Sequence, residues 1–218
     1  MIRNLTLSDR ASLIRLARAL PQGSEPRRTL LRGLGKTAGA LTPKQAADLG
    51  VTFQVRKSGS EVKVEALWGE ETIGEIEAHK VTGIPCENNR GYTGFQVVWA
   101  QSLSRVSGIR NLGPLLYDIM LDLVYPHPLM SDRSEVSPEA FRIWTYYLKN
   151  RPDIEHFQLD DPENSLTDNP DDNCWQRSSQ DWGGRDYWAV TPLSKAYFRS
   201  SGGTPILDEC QKLGILFF

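Results

Sequence analysis

The sequence predicts an α+β or α/β fold with a mixed sheet, and three observations carry that prediction. Residues 51–79 hold β-rich segments of alternating polarity, residues 95–100 (FQVVWA) form a continuous apolar strand, and strongly helical segments then alternate with short strands. The 218 residues are 39 % hydrophobic and 24 % charged, enough for one packed domain, with or without a small helical appendage.

The formal net charge of −2 excludes a wholesale polycation, so nucleic acid is not an expected partner of the chain as a whole. That total hides a division. Residues 1–50 carry nine Lys/Arg and three Asp/Glu, a net of +6, and the remainder nets −8. The first fifty residues contain no Phe, Tyr or Trp, whereas all six tryptophans follow residue 67. A basic helical module over residues 1–50 and a globular acidic domain over 51–218 are expected. No apolar run approaches the length of a membrane span, and the first ten residues lack the apolar core of a secretion signal. Cys86, Cys174 and Cys210 are odd in number and in no metal-ligand spacing, which disfavours a disulfide scaffold and a zinc site. A cytoplasmic setting is expected.

In the basic module, Ser8 can cap a helix with Leu13, Leu16 and Leu20 at helical spacing, ended by Pro21 and Gly23. Ser24 caps a second segment striped with Leu30, Leu31 and Leu34. Thr42-Pro43-Lys44-Gln45 is a capping box with proline at the first helical position, and Gly50 ends that third helix. Segments this short need tertiary packing, on the acidic domain, a second subunit or another protein, and opposite charge favours the acidic domain.

Residues 51–56 and 62–68 alternate, Gly69-Glu70-Glu71 is a turn, and residues 72–79 alternate again, giving a hairpin with one polar face. Residues 82–94 read as a loop holding the turn Asn88-Asn89-Arg90-Gly91. The strand at 95–100 is expected to be central and buried on both faces. A polar loop over 104–113 leads to a helix over 114–125 that Pro114 starts. A short strand at 129–132 precedes a helix over 138–150, opened by Ser137-Pro138-Glu139 and carrying Phe141, Trp144, Tyr147 and Leu148. Strands are expected at 154–159 and 187–191, an acidic loop at 160–174, and short helical pieces at 196–199 and 206–213.

The chemistry-bearing feature is the joint from the apolar strand through a glycine-bearing loop to a helix start. Backbone N–H groups of Asn111, Leu112 and Gly113 are free there to bind an anion such as a phosphate, with Arg105 and Arg110 adding positive charge. An ordinary loop-to-helix joint is the alternative reading. His79, His127 and His156 are scattered, and no nucleophile-elbow pattern surrounds any Ser or Cys. The acidic stretch at 160–172 lacks the spacing of a calcium loop and reads as solvated; no metal site is expected.

The stretch Gly108-Ile109-Arg110-Asn111-Leu112-Gly113, followed by Pro114-Leu115-Leu116-Tyr117-Asp118, resembles the coenzyme A loop of the GNAT superfamily of acetyl-CoA-dependent N-acetyltransferases. The family pattern is Arg/Gln-x-x-Gly-x-Gly/Ala: Gly113 matches its last small residue, Asn111 replaces the first glycine and Gly108 stands at the Arg/Gln position. Asn tolerates left-handed backbone geometry, so the turn survives the exchange. Residues 129–147 resemble the family's fifth strand and following helix, whose pattern is Asn-x-x-Ala-x-x-x-Tyr. Ser137 replaces the Asn, Ala140 matches, and Trp144 stands where the family has its tyrosine general acid, with Tyr147 one turn on and nearer that face than Tyr146. The phrases GPLLYDIML, LMSDRSEVSPEA and NRPDIEHFQLDD are similar to GNAT-like proteins of tailed bacteriophages, across roughly residues 52–192.

The resemblance implies a mixed, mostly antiparallel central sheet flanked by helices. It also implies acetyl-CoA as cofactor and acyl transfer to an amine. A β-bulge in the fourth strand, near Val97, Val98 and Trp99, would supply the backbone N–H that polarises the carbonyl. Gly108, Arg110, Asn111, Leu112 and Gly113 would hold the pyrophosphate. Tyr147, Glu75 and Asp132 are the catalytic candidates, with Glu77, His79 and Glu135 as further bases; a structural ion pair is the alternative role for Asp132 with Arg133. The competing reading is a catalytically degenerate scaffold in a phage particle, attached to phage structural proteins through residues 1–50; localisation would then be the virion rather than the host cytoplasm.

Overall fold

The structure is a computed structural model and describes residues 40–84, 92–103, 109–131, 136–159, 190–200 and 202–218. The two helices expected before residue 40, the turn at 88–91 and the acidic stretch at 160–174 lie outside the described residues, as do Gly108 and Asp132. The fold is α+β. In chain order the elements are α1 (Pro43–Leu49), β1 (Val51–Ser58), β2 (Glu61–Trp68), β3 (Glu71–Ile84), β4 (Tyr92–Ser102), α2 (Leu112–Val124), β5 (Leu129–Ser131), α3 (Pro138–Asn150), β6 (Ile154–Gln158), a 3-10 turn (Pro192–Ser194), β7 (Lys195–Arg199), α4 (Pro205–Lys212) and β8 (Leu216–Phe217). One mixed, mostly antiparallel sheet runs β6-β7-β5-β4-β3-β2-β1-β8, with parallel pairing at β4–β5 and at β1–β8.

β1 and β2 alternate as their sequences dictate. Val51, Phe53 and Val55 face inward beside Val62, Val64, Ala66 and Trp68, while Lys63 and Glu65 face outward. The inward side chains form one core cluster with α2 and with Trp144 and Tyr147 of α3. α2 sits directly over β3. A Cβ on Gly74 would lie 3.0 Å from Leu112 Cδ2 and 3.1 Å from Leu116 Cδ1, so the missing side chain of Gly74 sets how closely helix and strand approach.

Three expectations need correction. The strand at 95–100 is not buried on both faces, since Trp99 is 53 % exposed. A bulge is the reason: Glu77 pairs with Trp99 and Ala78 with Val97, so Val98 is an extra residue without a partner on β3. Phe95 and Val97 pack on the core before the bulge and Ala100 after it, so an unbroken apolar run still leaves one ring outside. Residues 196–199, expected to be helical, are strand: β7 lies between β5 and β6. The strand expected at 187–191 has no counterpart at Val190 and Thr191, because Thr191 caps the turn that Pro192 opens. α1, the last helix of the module expected over residues 1–50, packs on the same core. α1 has the expected capping box at Thr42 and Gln45 and the left-handed Gly50 (φ 72°), yet Leu41, Ala46 and Leu49 are core residues and Trp68 Nε1 donates to the Leu49 carbonyl at 2.9 Å.

Behind the core, α2, α3, β7 and α4 are joined by a buried ionic network. Asp118 accepts from Tyr147 Oη (2.8 Å) and Arg151 Nη1 (2.8 Å). Asp122 accepts from Arg199 Nε (2.7 Å) and from the backbone N–H groups of Ile206 (2.7 Å) and Leu207 (3.2 Å), and so satisfies the start of α4. Asp153 accepts from both Arg151 and Arg199. Arg151, then Arg199, holds the Asp153 carboxyl down at about 2, below its usual 3.8. A carboxylate with a depressed folded-state value stabilises the fold above its unfolded-state value and ceases to do so as pH falls through the folded one. Stability measured by urea unfolding is therefore expected to drop between about pH 4 and pH 2. Asp153→Asn is expected to flatten that drop; an unchanged slope would show that the network does not set it.

Candidate functional site

The site is a cleft of about 370 Å³ between the first turns of α2 and α3, floored by the end of β4. Its lining includes Glu75, Gln101, Asn111, Gly113, Tyr117, Ser137 and Arg142. The floor exists because β4 and β5 pair over only three residues, ending at Val97↔Ser131, while β4 continues to Ser102. α2 begins two residues before Pro114, at Leu112, with Asn111 as its cap in the left-handed region (φ 62°). This is the geometry expected for Asn111, and it is the one positive-φ residue other than glycine among those described. Pro114 is thus the third helical residue rather than the first. The N–H groups of Leu112 and Gly113 belong to the first turn, where no intrahelical acceptor reaches them.

The remaining nominated residues fall into three groups. Glu75, Asn111 and Gly113 come together in the cleft. Leu112 turns its side chain fully into the core and offers only its backbone, while Arg110 is exposed just before the cap. Val97 is buried and Val98 is the bulge residue, so the expected fourth-strand bulge is present where it was placed. Trp99 stands on the outer face, its Nε1 donating to Glu75 Oε1 at 2.9 Å.

Glu75 is fixed from three directions. It also accepts from Gln101 Nε2 (2.8 Å) and pairs with Lys63 Nζ (2.8 Å). The Lys63 hydrogen bond, against the opposing effect of burial, lowers its carboxyl below the usual range, so Glu75 is an anion at neutral pH and a weak proton acceptor. Tyr147 does not reach the cleft. Both it and Trp144, three residues apart, lie on the buried stripe of α3. Its hydroxyl is spent on Asp118, and burial, then the charge of Asp118, pushes its phenol well above the usual 10.

Arg142 and Tyr117 are among the cleft residues that the sequence does not single out. Arg142, on α3, brings a cation to the same cleft as the α2 start, with Glu139 3.6 Å away. Tyr117 lies four residues beyond Gly113 and so on the same helix face; that spacing was the signal available for it. Elsewhere, Glu61, Glu77 and His79 bring ligand-capable atoms within 4.8 Å of one another on the outer sheet face, an arrangement exposed acidic groups commonly adopt without an ion. The Cys210 thiol is buried and pushed up to about 12, chiefly by burial, which leaves it unreactive.

Comparison with known proteins finds no family model that matches the chain, and no curated protein or solved structure that matches it significantly. No helix among the described residues is long and apolar enough to cross a membrane.

Proposed function

We propose that the chain is a GNAT-like N-acetyltransferase that holds acetyl-CoA in the α2–α3 cleft and passes its acyl group to an amine. The observation that carries the reading is the pairing of a bulge at Val98 in the fourth strand with a helix start, capped by left-handed Asn111, at the mouth of the cleft that this strand floors. The matched positions Ser137 and Ala140 line the same cleft, which supports the resemblance on the α3 side. The volume suits the flexible arm of such a cofactor, with its nucleotide end at the surface.

Acyl transfer from a thioester needs positioning more than covalent help. The Leu112 and Gly113 N–H groups would take the pyrophosphate, at a helix end that favours anions, with Arg142 beside them. The backbone at Val98, released from the β3 ladder, would polarise the carbonyl. Glu75, anionic and held by Lys63, would attract the amine acceptor rather than act as a strong base.

Calorimetric titration of the full chain with acetyl-CoA and with CoA tests this reading. Binding is expected, and Gly113→Arg is expected to weaken it at least about tenfold, or about 1.4 kcal/mol. Among the described residues a Cβ at Gly113 meets only Ile143 Cδ1, at 3.6 Å, so the variant can fold while its side chain fills the cleft. No heat at millimolar ligand would end the enzyme reading. One observation favours the second reading, a degenerate scaffold that attaches to phage structural proteins through residues 1–50: the family's tyrosine position holds Trp144, which is buried against Tyr117, Tyr147 and Tyr197.

A further inference from the structure

We infer that the Tyr117 hydroxyl is the hydrogen-bond donor to the leaving sulfur of this site, supplied from α2 rather than from α3. The inference rests on the acyl-transfer reading of the cleft. Tyr117 sits one helical turn beyond Gly113 and lines the cleft with it. Its ring is fixed: it is 3 % exposed and meets the Trp144 indole edge-on, with centroids 5.2 Å apart and an interplanar angle of 84°.

The hydroxyl distinguishes Tyr117 from the other buried tyrosines. Tyr147 donates to Asp118 at 2.8 Å and Tyr197 donates to the Pro192 carbonyl at 2.7 Å. The Tyr117 hydroxyl has no hydrogen-bond partner among the described residues, and it is not among the sealed, unsatisfied polar atoms, where only Arg199 Nη2 stands. It is therefore not sealed in the core, and Tyr117 is a lining residue of the cleft. A polar group in a largely apolar setting without a partner is costly, and a ligand that brings an acceptor removes that cost. Burial holds the phenol above its usual 10, so it is protonated throughout the neutral range. The charged groups that share the cleft are Glu75, Glu139 and Arg142.

The step balances as follows. The amine nitrogen bonds to the thioester carbonyl carbon and the carbon–sulfur bond breaks, its electron pair remaining on sulfur. Tyr117 keeps its proton and donates a hydrogen bond to that sulfur as the charge develops. The proton shed by the amine goes to water, and the thiolate takes up a proton from water. The products are an amide and a free thiol.

The donor can be tested without knowing the acceptor, by following the thiolate absorbance of CoA bound to the full chain as pH is raised. Hydrogen bonding from Tyr117 is expected to lower the ionisation of the bound thiol by about one pH unit relative to free CoA. Tyr117→Phe, which keeps the ring against Trp144, is expected to abolish that shift in the CoA that the variant still binds. Tyr147→Phe is expected to leave the shift in place. A wild-type protein that binds CoA with no shift overturns the inference without recourse to any variant, as does a shift that survives in Tyr117→Phe or disappears in Tyr147→Phe. A wild-type protein that does not bind CoA overturns the acyl-transfer reading and this inference with it.

Discussion

Asp122→Ala is expected to destabilise the protein by about 3–5 kcal/mol, as removal of one partner from a buried ion pair does. The reason is the company Asp122 keeps. Arg199 is 4 % exposed, its Nε loses its carboxylate, and its Nη2 already lacks a hydrogen bond, with Asp118 Oδ1 3.7 Å away. The substitution also orphans the first N–H groups of α4 at Ile206 and Leu207. Burial raises the Asp122 carboxyl, against the pull of Arg199, so the pair is held at a desolvation cost that only its geometry offsets. Urea unfolding checks the expectation, with Asp122→Asn as the milder variant because its amide oxygen can still cap α4. A loss below about 1 kcal/mol for the alanine variant would mean that Arg199 finds other partners.

Trp144→Ala is the second large effect, again about 3–5 kcal/mol, as for other buried Trp to Ala truncations. The indole stacks on Tyr197 at 5.2 Å and 24° and meets Tyr117 and Tyr147 edge-on, so its loss opens a cavity among three rings that cannot collapse together. Trp144→Phe keeps part of that contact and should cost less. Thermal unfolding of the two variants would rank them, and equal losses would show that a phenyl ring at this position recovers none of that contact. Since Tyr117 leans on this indole, the alanine variant should also loosen the phenol at the cleft.

Much of the fold was legible because its signals are local. The capping box at Thr42 and Gln45 and the Ser137 cap, whose Oγ accepts from Ala140 N at 3.1 Å, are written within four residues, and both helices start where those residues say. The alternation in β1 and β2 is equally local. β7 was not legible, because Lys195–Arg199 becomes a strand through pairing with β5, more than sixty residues earlier, and with β6. The start of α2 was displaced by Pro114, which reads as a first helical residue but follows a left-handed cap and one further turn-forming pair.

The candidate site divides in the same way. Asn111 and the bulge position could be nominated from spacing against a family pattern, and Glu75 came with them. Tyr147 shares a helix face with Trp144, but that face is the buried one, where Asp118 takes the hydroxyl. Tyr117 and Arg142 are not legible in the sequence because they share a cleft only once two helices, α2 and α3, are set side by side. Their proximity is a property of packing rather than of any one segment.

The route by which the chain enters the domain has a mechanical meaning. Leu41 N donates to the Asn111 carbonyl at 3.2 Å, and Leu41 itself is buried in the core. Leu41 is therefore fastened to the same left-handed residue that opens α2. A pull on the backbone at Leu41 would be felt at that hinge-like cap, and at the two amides behind it, before it reached the centre of the sheet.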